Sequence, residues 1–141
     1  MLQDRVERAL SLHKKGYNCA QCVVCVYSDV IGLDEKTLFR VAEGFGAGMG
    51  DFQGTCGALT GAFMLTGLTT DGAGIDGPKT KQVTYRKVKE LSKAFKDING
   101  SVICSELKGM TGGSVLRSCD GCIEDAVRIA GEMLVDEGYL I

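Results

Sequence analysis

Apolar positions recur along this chain at helical rather than strand spacing. Leu2, Val6, Ala9, Leu10 and His13 fall at i, i+4, i+7, i+8 and i+11, which is one face of a helix. Gly16 then stands at the usual C-terminal stop, with Lys14 and Lys15 complementing the helix dipole. Asn18 opens the next helix as an N-cap, and Gln21 three residues later completes a capping-box pattern. From Cys19 to Ile31 the chain is apolar almost all round, which predicts a buried central helix. Asp34 caps a third helix, with Leu38, Val41, Ala42 and Phe45 as its inward residues.

A glycine-rich stretch, GFGAGMGDFQG, runs from Gly44 to Gly54. Thr55 is the expected N-cap of a fourth helix, CGALTGAFMLTGL, whose Gly57, Ala58 and Gly61 form a small face open to another backbone. The following TTDGAGIDG is flexible by composition, and Pro78 suits the first turn of the next helix, where its missing N–H costs nothing. That helix carries Thr84, Val88, Leu91, Phe95 and Ile98 on one face and lysines on the other. Ser101 is placed to cap a short turn, VICSEL, which holds Cys104. After KGMTGGSVLRS, a last helix spans about Cys119 to Glu137, with the core stripe Ile123, Ala126, Val127, Ala130, Met133 and Leu134. No convincing strand alternation appears. The prediction is an all-α fold: one domain over residues 1–141, a bundle of about five main helices, with the glycine-rich loop before the central cysteine-bearing helix.

Charge narrows the function. Sixteen basic against eighteen acidic residues leave a net charge of −2, which argues against a nucleic-acid binder. No apolar run approaches the ~20 residues needed to span a bilayer. The N-terminal segment is charged throughout, unlike a secretory signal, so a cytoplasmic location is expected. Two counts stand out: twenty glycines, about twice the usual share of ~7%, and seven cysteines. Without a secretory context, excess cysteine points to metal or redox chemistry rather than a permanent disulfide framework. A single histidine leaves little room for imidazole chemistry, and His13 reads as a surface or helix-end residue.

The cysteines stand at positions 19, 22, 25, 56, 104, 119 and 122. Cys19 follows Asn18, Cys56 follows Thr55, Cys104 lies three after Ser101, and Cys119 follows Ser118. Each falls at the expected start of a helix, where free N–H groups and the positive dipole end stabilise a thiolate and lower a thiol pKa from about 8.5 toward neutrality. Cys22 and Cys25, inside AQCVVCVY, read more simply as small buried hydrophobes.

Cys119-Asp120-Gly121-Cys122 is the most specific local pattern, since two cysteines three apart at a helix start can close a disulfide within one turn. No βαβ pattern surrounds it, which argues against a thioredoxin fold, and Ile123 excludes haem attachment. The run Cys19, Cys22, Cys25 lacks the ferredoxin Cys-Pro that should follow. The pairs 19/22 and 119/122 together are a candidate four-cysteine zinc site. The alternating glycines have no Lys-Ser or Lys-Thr after them and no strand before, so they are not a phosphate loop. Their expected role is to bring backbone N–H groups close to Cys56.

Taken together, Cys19 within GYNCAQ, the segment GFGAGMGDFQGTCGALTGAFMLTG, Cys104 in CSELKG and the Cys119/Cys122 pair resemble a redox-active protein family named for its C…GCAxxG…C…C motif. The likeness runs from about Gly16 to the final helix. Here the central motif reads Cys56-Gly57-Ala58 where the name has Gly-Cys-Ala, with Gly61 three after Ala58. Cys22 and Cys25 have no counterpart in it. The resemblance implies a redox role for cysteines and names no substrate.

Two functions follow from these residues. In the first, Cys19, Cys56, Cys104, Cys119 and Cys122 converge as a thiol redox site for dithiol–disulfide exchange or electron transfer, as in a thiol–disulfide oxidoreductase. In the alternative, the same five cysteines hold an iron–sulfur cluster or a soft metal such as zinc or copper. A helical scaffold with incidental cysteines is the plain reading beside both. Cys56 is expected at the centre, with Cys19 brought near by helix packing on Ala58 and Gly61. The redox partner, whether protein or small molecule, is left unidentified, and homodimer formation is left open.

Overall fold

The computed structural model describes residues 1–70 and 74–141 of the protein. They form α1 (Leu2–Lys15), α2 (Cys19–Cys25), α3 (Ser28–Ile31), α4 (Glu35–Ala42), α5 (Gly46–Met49), α6 (Gly57–Thr70), α7 (Lys81–Asn99), α8 (Cys104–Leu107) and α9 (Cys119–Asp136). There is no strand among the described residues, only an isolated bridge between Thr55 and Ile103. The fold is all-α, as the periodicity predicts, but with more short helices than a bundle of about five main ones. No described helix is long and apolar enough to cross a membrane.

Side-chain caps open α2, α4 and α9. Asn18 accepts the Gln21 N–H at 2.9 Å while the Gln21 side chain accepts the Asn18 N–H at 2.9 Å, a complete capping box. Asp34 accepts from the Thr37 N–H, and Ser118 from the Gly121 N–H, both at 3.0 Å. Ser101 caps differently from expectation: its hydroxyl accepts the Ile103 N–H at 3.0 Å and donates to Glu106, one step before α8 begins.

The predicted central helix does not run through to Ile31. It breaks at Val26 and Tyr27, and α3 follows as a separate turn. Tyr27 is fully buried and its hydroxyl donates to the Val127 carbonyl of α9 at 2.6 Å. A buried phenol needs a partner, and bending the chain at Tyr27 supplies one. Gly131 leaves the space: a Cβ there would lie 2.6 Å from the Tyr27 oxygen.

α2 sits at the middle of the molecule, packed against α1, α4, α6 and α9. The small face of α6 makes this close approach physical. A Cβ at Gly61 would stand 2.8 Å from the Ala20 carbonyl oxygen, and one at Gly57 would stand 2.7 Å from the Phe45 carbonyl oxygen. Around this contact Val23, Val24, Leu59, Leu65, Phe95, Ile123, Val127 and Leu134 form the buried core.

Several expected inward residues face out. Val41 lies off the Leu38–Ala42 face of α4, and Phe45 leaves the helix in a 3-10 turn (Glu43–Phe45); both are exposed. On α7 the buried face continues from Leu91 and Phe95 to Asn99, not Ile98, because the stripe keeps stepping by four. Asn99 is satisfied by donating to the Phe95 carbonyl. Pro78 precedes Thr80, the residue before α7, and so stands outside the first turn. Thr69 and Thr70 finish α6 instead of opening a loop; the flexibility expected of TTDGAGIDG falls partly on 71–73, outside the described residues.

Candidate functional site

One cavity of about 170 Å³ is lined by Cys19, Cys56, Cys104, Cys119 and Cys122. These residues come from four places in the chain that share one property: each is at the beginning of a helix. Cys19 opens α2, Cys56 immediately precedes α6, Cys104 opens α8, and Cys119 and Cys122 occupy the first turn of α9. The packing of α2 and α6 on α9 brings the starts together. Cys119 and Cys122, three apart, share a helix face and both look into the cavity.

Four of the five thiols interact as two pairs. Cys19 is the neighbour that acts most strongly on Cys119, and Lys108 is a second. The hydrogen bond from Cys19, then the bond and charge of Lys108, pull the Cys119 thiol down to about 5 against the opposing effect of burial. Cys19 is pushed far above the ordinary thiol range by Cys119 and by burial. The second pair repeats the arrangement deeper in the protein: the interaction of Cys122 with Cys56 lowers Cys56 and raises Cys122.

Cys56 has further donors in the backbone N–H groups of Leu59 and Ala58. It therefore occupies the capping position expected of Thr55; its carbonyl accepts the Thr60 N–H at 3.0 Å, while Thr55 pairs with Ile103 instead. A sulfur thus takes the place of the usual hydroxyl or carboxylate cap.

Helix starts alone do not make thiolates here. Of the four cysteines expected to be acidified, only Cys56 and Cys119 are lowered; Cys19 and Cys104 are raised. Cys104 is raised first by burial and then by the charge of Cys56. Both raised residues begin short helices, α2 of seven residues and α8 of four, which have little dipole to offer. Donation between thiols outweighs helix position.

The glycine-rich segment wraps the Cys104 side of the cavity. Gly48 has φ 54°, within α5, a single left-handed turn, and a Cβ there would collide with Cys104, 3.3 Å from its sulfur. The Phe52 carbonyl accepts the Ser105 N–H at 2.8 Å, and the Gly54 carbonyl accepts the Cys104 N–H at 3.0 Å. The Cys56 N–H donates to the Val102 carbonyl at 2.7 Å, tying Cys56 and Cys104 side by side.

Lys108, His13 and Arg117 also line the cavity. His13 Nδ1 lies 2.7 Å from Asp120, and Arg117 pairs with Asp125 at 3.0 Å. Lys108 rides over the Phe52 ring, its nitrogen 5.3 Å from the centroid. Lys108 is the residue that sequence reasoning missed. The available signal was its place four after Cys104, one turn along a helix that begins with a cysteine.

Cys22 and Cys25 lie outside the cavity lining. Their thiols donate to the Tyr17 and Glu35 carbonyls at 3.7 and 3.8 Å, and burial pushes them up to about 12 and about 11. A zinc site from the pairs 19/22 and 119/122 is therefore not assembled: on α2 Cys22 turns into the core while Cys19 faces the cavity. Among the described residues, no group of three or more His, Cys, Asp or Glu is arranged to hold a metal ion.

No curated protein and no solved structure matches the chain. A match over residues 17–133 to the family described as "Putative redox-active protein (C_GCAxxG_C_C)" takes in all of the cavity cysteines, and the chain belongs to that family.

Proposed function

We propose that the protein is a thiol–disulfide oxidoreductase whose exchange pair is Cys119 and Cys19. The observation that carries this reading is the half-buried Cys119 at the start of α9, sharing one cavity with Cys19 and Lys108, both of which pull its thiol down. The thiolate is the nucleophile in exchange, and a pKa near or below ambient pH keeps it populated. Cys119 attacks one sulfur of a disulfide R–S–S–R′, forming a Cys119–S–S–R bond and releasing R′S⁻. Cys19 then attacks the Cys119 sulfur, closing Cys19–Cys119 and expelling RS⁻, which takes the Cys19 proton. The reverse sequence oxidises a dithiol partner.

The test is a comparison of free thiols with and without mild reductant, together with iodoacetamide labelling at pH 6 to 7. Cys119 labels first in the reduced protein, and a reversible Cys19–Cys119 link appears on oxidation. Equal thiol counts in both states and no early-labelling cysteine overturn the proposal. The competing use of these cysteines for an iron–sulfur cluster or a soft metal is separated by metal analysis and a visible spectrum of anaerobically purified protein. The two-and-two facing of the sulfurs supports exchange over a shared metal.

A further inference from the structure

The second pair, Cys56 and Cys122, has no task in the exchange described above, yet it is built in the same way. Cys56 and Cys122 are 5% and 3% exposed, whereas Cys19 and Cys119 are half-buried. A bulky disulfide reaches the outer pair and not the inner one. Burial of a structural cysteine does not require a thiol partner, as Cys22 and Cys25 demonstrate by donating to carbonyls. The inner cysteines instead border the cavity, Cys56 immediately before α6 and Cys122 in the first turn of α9. Both pairs border one cavity, and each contributes one sulfur from the first turn of α9.

We infer that Cys56 and Cys122 are an internal dithiol store which reduces the outer Cys19–Cys119 disulfide through an intramolecular relay. This inference rests on the reading of Cys19 and Cys119 as the exchange pair. The Cys56 thiolate attacks the Cys119 sulfur of the outer disulfide, forming Cys56–Cys119 and releasing the Cys19 thiolate. Cys122 then attacks the Cys56 sulfur, forming Cys56–Cys122 and releasing the Cys119 thiolate, while the proton of Cys122 passes to Cys19. One disulfide bond is broken and one made, two electrons move outward, and one proton moves with them. No outside oxidant or reductant enters the step. The direction is set by burial: closing Cys56–Cys122 removes a thiolate charge from the drier position and leaves one beside Lys108. A fully reduced molecule would then deliver two pairs of electrons, one from each dithiol, before needing to be recharged.

The test uses the reduced full chain. One equivalent of bis(2-hydroxyethyl) disulfide is added, samples are quenched with acid over time, and cross-linked peptides are mapped by mass spectrometry. The expected course is an early Cys19–Cys119 link that decays as Cys56–Cys122 accumulates. In Cys119→Ser, Cys56–Cys122 forms more slowly by about tenfold or more, because the outer nucleophile is gone. A Cys19–Cys119 link that persists with Cys56 and Cys122 free overturns the relay and leaves the exchange reading standing. A Cys119–Cys122 end product, or an unchanged rate of Cys56–Cys122 formation in Cys119→Ser, also overturns it. If Cys19–Cys119 never appears, the exchange reading itself falls and takes the relay with it. The wild-type time course decides between these without depending on the variant's fold.

Discussion

The cavity cysteines and the two core cysteines differ less in burial than in what their sulfurs face. Cys56 and Cys122 are nearly as buried as Cys22 and Cys25, at 5% and 3% against 0% for both core residues. In the core, burial pushes both thiols up and each donates to a backbone carbonyl, which leaves two small inert hydrophobes. In the cavity, the two cysteines of each pair act on one another, which pulls one thiol down and pushes its neighbour up. Depth alone would have made all four inert. The partner of the sulfur, not its distance from water, separates chemistry from packing.

The comparison breaks most sharply at Cys119. Cys119→Ser is expected to lower the rate of disulfide exchange by about a hundredfold or more, because no other half-buried thiolate replaces it; Cys22→Ala is expected to leave the rate unchanged. Stopped-flow reaction with a chromogenic disulfide measures both. Equal losses in the two variants would erase the distinction.

The next effect is a pH profile. Cys119 is pulled down to about 5, so its thiolate persists well below the ordinary thiol range and is lost only as pH falls through about 5. Below that midpoint its alkylation rate drops by about tenfold per pH unit, since only the thiolate reacts. Cys22 and Cys25, pushed up to about 12 and about 11, stay unlabelled in the folded protein at neutral pH. Iodoacetamide rates resolved by peptide mapping check the midpoint. A midpoint near 9 would remove the claimed role of Cys19 and Lys108.

The core side of the comparison predicts a stability effect. Cys22→Ala removes a fully buried sulfur from α2 and is expected to cost about 1–2 kcal/mol in urea unfolding, through lost contacts and a small cavity. Its exchange rate, normalised to folded protein, should stay constant. A smaller effect sharpens the cavity side: Lys108→Gln keeps a donor near Cys119 but removes the charge, raising the Cys119 midpoint and slowing alkylation at pH 6 by about threefold. An unchanged midpoint would assign the acidity to Cys19 alone.

What the sequence by itself determined was local. The Asn18–Gln21 box, the Asp34 and Ser118 caps, the α9 stripe and the small face of α6 each depend on residues within a turn or two of one another. Four cysteines of the cavity were legible in the same way, as residues at helix starts, and Cys122 by its place three after Cys119. Tertiary structure decided how they pair and which of each pair is acidic, because Cys19 meets Cys119, and Cys56 meets Cys122, across long stretches of chain. It also brought Lys108 to Cys119 and broke the apolar run at Tyr27, whose hydroxyl finds its acceptor on α9. Spacing along a chain specifies which residues share a face. The hydrogen-bond partner of a sulfur depends on which helix ends pack together, and that is settled only when α2 and α6 close on α9.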